Sequence, residues 1–533
     1  MTRNLRALTM VAALLGLTVV PAQAQRNANQ SNDAKLKEQR ARAERDTRRY
    51  EKLKAYAQNL YQTDADFRDE VDEHYDGIQR QHSLEAFYYN AAEPARPTVV
   101  HDGDRLRLRD GLYDNKLVAD YINRVGQRLV AVDSERLFAF RLLANPVPSA
   151  YTLSTGTIYI STGLVSLLDN EAQLAYVLAH EMGHVQFDHW KLKSTLALAQ
   201  EEFAAKDGRR RAMWGAVLGA AAGATVGGMA GNSTTAVQAG ALGAFVGAGI
   251  GMAWNNAMSL NWDTVQESEA DAFAFKTVLN RNYDVREVRT LYANLQNAVR
   301  QDQRVGLGFL GSRRRTVERM ATVEELIGTT FKSEIDAKGK LTVTDPEFVR
   351  VMATLKRDNG IMALYHDMFQ LAKVNLEYAR QYRPNDPAAH YYYGKVMKLV
   401  GRTEEDRKAA DDAFKRAIDF DHRERNYGAH FYRALALMNQ KNANLNPEIA
   451  KELQDYVMAS IRFQSDEAAH ANALPANIDD MYDYLTEVGD VNWRPVIPDA
   501  LKGAMTNVGI QNQKPESPLK TTPTTKPVVP VKK

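Results

Sequence analysis

The sequence predicts a mainly α-helical chain, with a small β-sheet in its first half and stacked helical repeats in its second. Three observations carry this. Leu117, Tyr121, Val125 and Leu129 recur every fourth residue, the period of an amphipathic helix. Tyr151 to Ser161 concentrates β-branched and aromatic residues around Gly156, the composition of a hairpin or an edge strand. Ala372, Leu376, Ala379 and Pro384 are spaced by four, three and five, and Ala410, Phe414, Ala417 and His422 repeat those spacings.

Taken in order, the first segment has the features of an export signal over residues 1–24. Arg3 and Arg6 precede an apolar run from Met10 to Val20, which is too short for a stable bilayer anchor. Pro21 breaks the run, Ala22-Gln23-Ala24 offers a small-x-small cleavage site, and the mature chain would begin at Gln25 in the periplasm. Residues 25–100 are dense in charge and thin in large apolar side chains, so an exposed helical arm is expected there. A globular domain follows over 101–335, with a strand at Phe138 to Leu143, a break at Pro146 and Pro148, and a helix capped by Asp169 or Asn170 that runs through Leu174, Val177 and Leu178 toward His180.

Residues 212–262 contain no charge, and glycines recur every fourth position at Gly215, Gly219, Gly223 and Gly227 and again at Gly243, Gly247 and Gly251. Small-residue faces of this kind suit a peripheral membrane contact, or equally a buried helical hairpin or a flap over a site. A linker is expected at 336–360 and helical repeats at 361–500. Their spacing fits the second helix of a tetratricopeptide repeat and the turn after it, stretched around Thr403 to Lys408; a plain helical bundle is the competing reading. Residues 501–533, rich in Pro, Thr and Lys toward their end, are expected to be a disordered tail.

Composition narrows the function. The 533 residues suffice for two or three domains, and 44% hydrophobic with 25% charged residues is ordinary for a globular chain. A net charge of +2 speaks against a nucleic-acid binder. With no cysteine, neither a disulfide nor a lipoprotein anchor can form, and stability must come from packed cores.

The strongest signal is His180-Glu181-Met182-Gly183-His184. Spacing four on a helix puts both imidazoles on one face, where two neutral nitrogens can reach one ion at about 2.0–2.1 Å. Glu181 lies beside that ion without pointing at it, as a general base for an attacking water requires. Farther along, Glu267 can supply a third ligand, leaving an open position as in a catalytic zinc site. Asp271 lies one turn later on the same face and can accept the second ring N–H of a ligand histidine, with His180 the expected partner. Glu269 points elsewhere and is expected to be solvated. A metzincin site does not fit, because Phe187 and Trp190 occupy the positions where Gly and His are required and His189 is one place short. These residues predict one zinc ion per chain in a zincin-type metallopeptidase domain.

Leu174 to Val185 with His189, the stretch Ala150-Tyr151 with Gly156 to Leu164, and Glu267-x-x-x-Asp271 together resemble the HtpX/BepA-type zinc metallopeptidases, a family that also includes the CAAX prenyl proteases. The resemblance covers about His101 to Ile327. An exported chain with tetratricopeptide-like repeats at its C-terminus is similar in layout to the BepA branch, which implies a role in outer-membrane protein quality control. Many members carry a Ser-His-Pro-like motif after the glutamate ligand; here the stretch is Ser312 to Arg319, with Arg313 at the histidine position. Arg313 cannot gate zinc as a histidine does, but it can donate to a tetrahedral oxyanion; a solvated basic patch is the alternative.

The expected partners are unfolded or misassembled protein substrates, paired as an added strand along the Gly156 to Ser161 edge, and an envelope protein docked on the repeats. A chaperone or adaptor with a residual zinc site is the alternative from another class, and the intact Glu181 argues against it.

Overall fold

The computed structural model describes residues 45, 47–91, 99–102, 105–108, 111–113, 115–206, 264–301, 313–423 and 425–466. The expectations for the export signal, for 212–262 and for the tail at 501–533 lie outside the described residues.

In chain order, α1 (47–63) and α2 (Ala65–Ala91) precede a ribbon of β1 (Val99–Asp102) and β2 (Arg105–Leu108). Then come α3 (Lys116–Leu129), β3 (Ala139–Leu143), β4 (Ala150–Thr152), β5 (Thr157–Ser161), the short α4 (Thr162–Val165), α5 (Glu171–Gln186) and α6 (His189–Lys206). They are followed by α7 (Thr264–Asn280), α8 (Val288–Gln301), α9 (Arg313–Glu325), α10 (Lys332–Ala337) and α11 (Pro346–Tyr365). The series closes with α12 (Phe369–Tyr382), α13 (Pro387–Val400), α14 (Glu404–Phe420), α15 (Gly428–Met438) and α16 (Asn446–Asp466). Among the described residues no helix is long and apolar enough to cross a membrane.

The described residues divide into two compact units. One holds α1, α2 as far as residue 78, α6, and α7 as far as Glu267. Tyr50, Leu53 and Ala57 of α1, Phe67 and Val71 of α2, and Leu196 and Ala199 of α6 form its core. The expected exposed arm is therefore corrected over this stretch. Its apolar stripe, though thin, is buried, and the charged residues are the remaining faces of packed helices.

The other unit starts at residue 79 and contains the sheet, α5, α7 from Ser268 onward and the later helices. Strand order is β3-β5-β4, with β3 parallel and β4 antiparallel to β5. The hairpin is confirmed: Tyr151 pairs with Tyr159 and Thr152 with Ile158. Its turn needs Gly156, whose φ is +88° and where a Cβ would stand 2.1 Å from the Leu137 carbonyl oxygen. The expected edge at Gly156 to Ser161 is corrected. Thr157–Ser161 is the central strand, buried throughout, and the edges are Ala139–Leu143 and Ala150–Thr152. All five residues, Thr157 and Ser161 included, are buried, so both faces of the strand are covered, as in a central strand.

The expected linker at 336–360 is also corrected. Asp345 caps α11 by accepting from the Glu347 amide at 2.7 Å, and Pro346 opens the helix. Phe348, Val351, Met352 and Leu355 belong to the same core as α5 and the sheet, while Ile361, Ala363 and Leu364 belong to the core of the following helices. Polar ties reinforce this double role. Tyr113 donates to Asp358 at 2.5 Å, Asn359 donates to Ser166 at 3.1 Å, and Arg357 pairs with Asp358 at 2.7 Å and Asp386 at 2.9 Å. From α11 to α16 the helices pack in successive pairs, each pair against the next. The repeated positions Ala372, Leu376, Ala379 and Ala410, Phe414, Ala417 lie in α12 and α14, the second helices of their pairs, and all are buried.

Candidate metal centre and catalytic base

Helix α5 positions the motif. Asn170, not Asp169, caps it, accepting from the Gln173 amide at 3.0 Å. Glu171 in the first turn is buried and takes hydroxyl hydrogen bonds from Tyr121 and, at 2.5 Å, from Tyr283, with Arg128 at 3.3 Å. These contacts fix the helix start against α3 and the segment after α7. The helix is then buried along almost its whole length, so His180, Glu181 and His184 are 1%, 4% and 1% exposed.

His180 Nε2 and His184 Nε2 lie 3.2 Å apart. Two nitrogens held tetrahedrally by one zinc ion at about 2.0–2.1 Å stand about 3.3 Å from each other. Glu267, at the start of α7, completes the group: one ligand atom from each of His180, His184 and Glu267 lies within 4.8 Å of the others. Two imidazoles and one carboxylate are a donor set suited to zinc. The residues present fit the ion.

Asp271 stands beside His180 as expected, with its carboxylate 2.9 Å from Nδ1. The Nδ1–H donates there, which leaves Nε2 as the nitrogen that can hold a metal. Asp271 is fully buried, and Tyr176 also donates to it at 2.5 Å. Arg319 of α9 donates to it through Nη2 at 2.8 Å and Nε at 3.2 Å. Burial alone would push this carboxyl up; Arg319 and His180 override it and hold the group below the usual carboxylate range. Arg319 itself lies over the Tyr292 ring at 5.3 Å, and its Nη2 is 3.3 Å from His180 Nδ1.

Arg319 and Tyr176 were not singled out from the sequence. Tyr176 sits four residues before His180 on the same helical face, a spacing that could have flagged it. Arg319 carried no such signal, as one arginine among several in a basic run. The side chain of Arg313 lies outside the described residues. Glu269 is half-buried rather than solvated and lines a groove with Met182, Phe187 and Phe273. His189 opens α6 and is fully buried.

Residues 115–355 match peptidase family M48. The chain carries an M48 peptidase domain. That domain ends inside α11, past the boundary expected at 335, which agrees with the share of α11 in its core. Among curated proteins, the chain is similar to the beta-barrel assembly-enhancing protease of Yersinia pestis, at 38% identity over 18% of this chain and 19% of that one. It is also similar to the beta-barrel assembly-enhancing protease of Escherichia coli strain K12, at 29% identity over 38% of this chain and 37% of that one. A third relative is the mitochondrial metalloendopeptidase OMA1 of Schizosaccharomyces pombe, at 33% identity over 12% of this chain and 20% of that one. The chain thus spans little more than a third of the length of the Escherichia coli relative, and less of the other two.

Proposed function

We propose that this chain is a zinc metalloendopeptidase that cleaves exported proteins which have failed to fold or assemble. The observation that carries the reading is the position of Glu181, a buried carboxylate adjoining a two-histidine, one-glutamate ligand set. A metal held only for structure has no use for a base at that place.

In this reading His180, His184 and Glu267 hold one zinc ion, with Asp271 fixing the His180 ring and Arg319 fixing Asp271. Zinc, when bound, supplies a Lewis acid for the scissile carbonyl and for the attacking water. Glu181 accepts the proton of that water and delivers it to the leaving amine. Arg313 is proposed as a donor to the oxyanion of the tetrahedral intermediate. Substrate pairs in extended form along the edge strand β4, adding a strand through main-chain hydrogen bonds that read little side-chain sequence. Such pairing suits unfolded clients.

The helices after α11 are proposed to be tetratricopeptide-like repeats that dock protein clients or an envelope partner. Residues 1–24 are proposed as the signal that sends the chain to the periplasm, and 212–262 as a peripheral membrane contact. The name of the bacterial relatives, which describes enhancement of β-barrel assembly, supports a role in envelope protein assembly here. Incubation of the purified protein with unfolded casein and with a folded control, with and without a chelator, tests the reading. Chelator-sensitive cleavage of casein, restored by zinc, is expected. Zinc binding with no cleavage of any unfolded protein would favour an adaptor instead.

A further inference from the structure

We propose that Thr152 is a positioning residue for the general base, its hydroxyl anchoring the Glu181 carboxylate. The inference rests on the reading of Glu181 as that base. Thr152 is the last residue of β4, and its backbone is set by pairing with Ile158 of the buried central strand. Its side chain is 1% exposed. Oγ1 lies 2.7 Å from Glu181 Oε2 and 3.2 Å from the Glu181 carbonyl oxygen. A threonine hydroxyl has one proton to give. The shorter contact, to Oε2, takes it, and the carbonyl oxygen is the more distant neighbour.

The anchor is itself held. Two residues on, Ser154 donates its amide to His82 Nδ1 of α2 at 3.0 Å. An Nδ1 that accepts from an amide carries no proton, so the Ser154 hydroxyl, 2.9 Å away, donates to it as well. Burial in this position holds the His82 imidazole down to about 4, so these contacts persist across the neutral range. The strand that carries Thr152 is thereby fixed on one side by β5 and at its end by α2.

Glutamate has three side-chain torsions, and a general base must meet its proton within a few tenths of an ångström. A bond to Oε2 fixes one oxygen and with it the plane of the carboxylate, without spending a metal ligand. A hydroxyl present merely to fill space would be satisfied by the backbone carbonyl nearby. This one is directed at a 4% exposed carboxylate whose burial requires a donor.

The test compares the zinc-loaded full chain with Thr152→Val, Thr152→Ser and Glu181→Gln on one fluorogenic peptide, with kcat and KM determined separately and zinc measured on each protein. Valine keeps the shape and removes the donor; serine keeps the donor and removes the methyl group. Thr152→Val is expected to lose about tenfold to a hundredfold in kcat, with KM within about twofold and zinc unchanged. Thr152→Ser should stay within about threefold of the parent. Thr152→Ala should reproduce the kcat loss if valine perturbs the packing. Full kcat in Thr152→Val beside an inactive Glu181→Gln overturns the inference alone. Equal losses in the valine and serine variants, or a loss confined to KM, also overturn it. Equal activity of parent and Glu181→Gln overturns the assignment of the base, and the inference with it.

Discussion

Gly183 meets Ala270 where the motif helix crosses α7: a Cβ on Gly183 would stand 2.9 Å from the Ala270 Cα. The contact is with backbone, so no rotamer change can relieve it. Close approach here puts Asp271, the next residue, against His180 one turn earlier on α5. Gly183→Val is therefore expected to push α7 away and loosen both the ligand set and its support. Zinc content should fall well below one per chain, and the melting temperature should drop by the equivalent of roughly 1–3 kcal/mol, as overpacking does. Full zinc and an unchanged melt would show that the crossing can absorb the side chain.

His180→Ala, His184→Ala and Glu267→Ala should each abolish stoichiometric zinc in elemental analysis. Asp271→Ala should weaken zinc by roughly ten- to a hundredfold, as loss of a ligand's hydrogen-bond acceptor does. Arg319→Met leaves Asp271 with a buried charge lacking its strongest counter-ion, and should destabilise the protein by several kcal/mol. The double variant Arg319→Met with Asp271→Asn should recover part of that loss in chemical denaturation. If the single Arg319→Met protein is as stable as the parent, the pair does not act as a unit.

Lys356 of α11 supplies a pH prediction away from the metal. It is 6% exposed with its ammonium 4.2 Å from the Tyr378 ring centroid, and burial holds its amine down to about 8 from an ordinary 10.5. The folded pKa is depressed, so the unfolded chain binds more protons between about pH 8 and 10.5. Stability should rise with pH across that window, by up to about 3 kcal/mol, and the cost of the buried charge should be present in full below it. Lys356→Met should be more stable than the parent at pH 7 and should flatten the rise. Urea titrations at pH 7 and pH 10 measure both.

Much of the site was legible in the sequence, because its signals are periodic. His180 and His184 at spacing four, and Glu267 and Asp271 at spacing four, each define one face of one helix, so the cluster followed once two helices were brought together. What the sequence did not disclose depends on crossings between distant segments. Arg319 reaches Asp271 from a helix 48 residues away, and Thr152 reaches Glu181 from a strand 29 residues away; neither has a local pattern. The central place of Thr157–Ser161 was missed because its second partner, Ala139–Leu143, is not its neighbour in sequence, β4 lying between them in the chain, and pairs with it in parallel. The linker expectation at 336–360 failed for a different reason. Helix α11 is apolar on more than one side, because it serves two cores, and so lacks the single stripe that marks an amphipathic helix.

That double service predicts where the chain can be cut. A chain ending at residue 345 loses Phe348, Val351, Met352 and Leu355, and should not fold as a metal-binding domain. A chain ending at His366, after α11, keeps them. It should retain zinc and cleave a short unstructured peptide at near the parent rate, while losing most of its activity on protein clients. Circular dichroism with zinc analysis reads the first effect, and paired peptide and casein assays the second. Equal loss on both substrates in the longer truncation would mean that the later helices support the fold of the catalytic domain.

The most direct measurement is peptide cleavage by Glu181→Gln set against its zinc content. The carboxamide cannot accept the proton of the attacking water, and the residue is not one of the three ligands. One zinc per chain, as in the parent, with cleavage reduced at least about a thousandfold is the predicted result. Parent-level cleavage by the zinc-loaded variant would contradict the assignment of Glu181 as the base and the mechanism built on it.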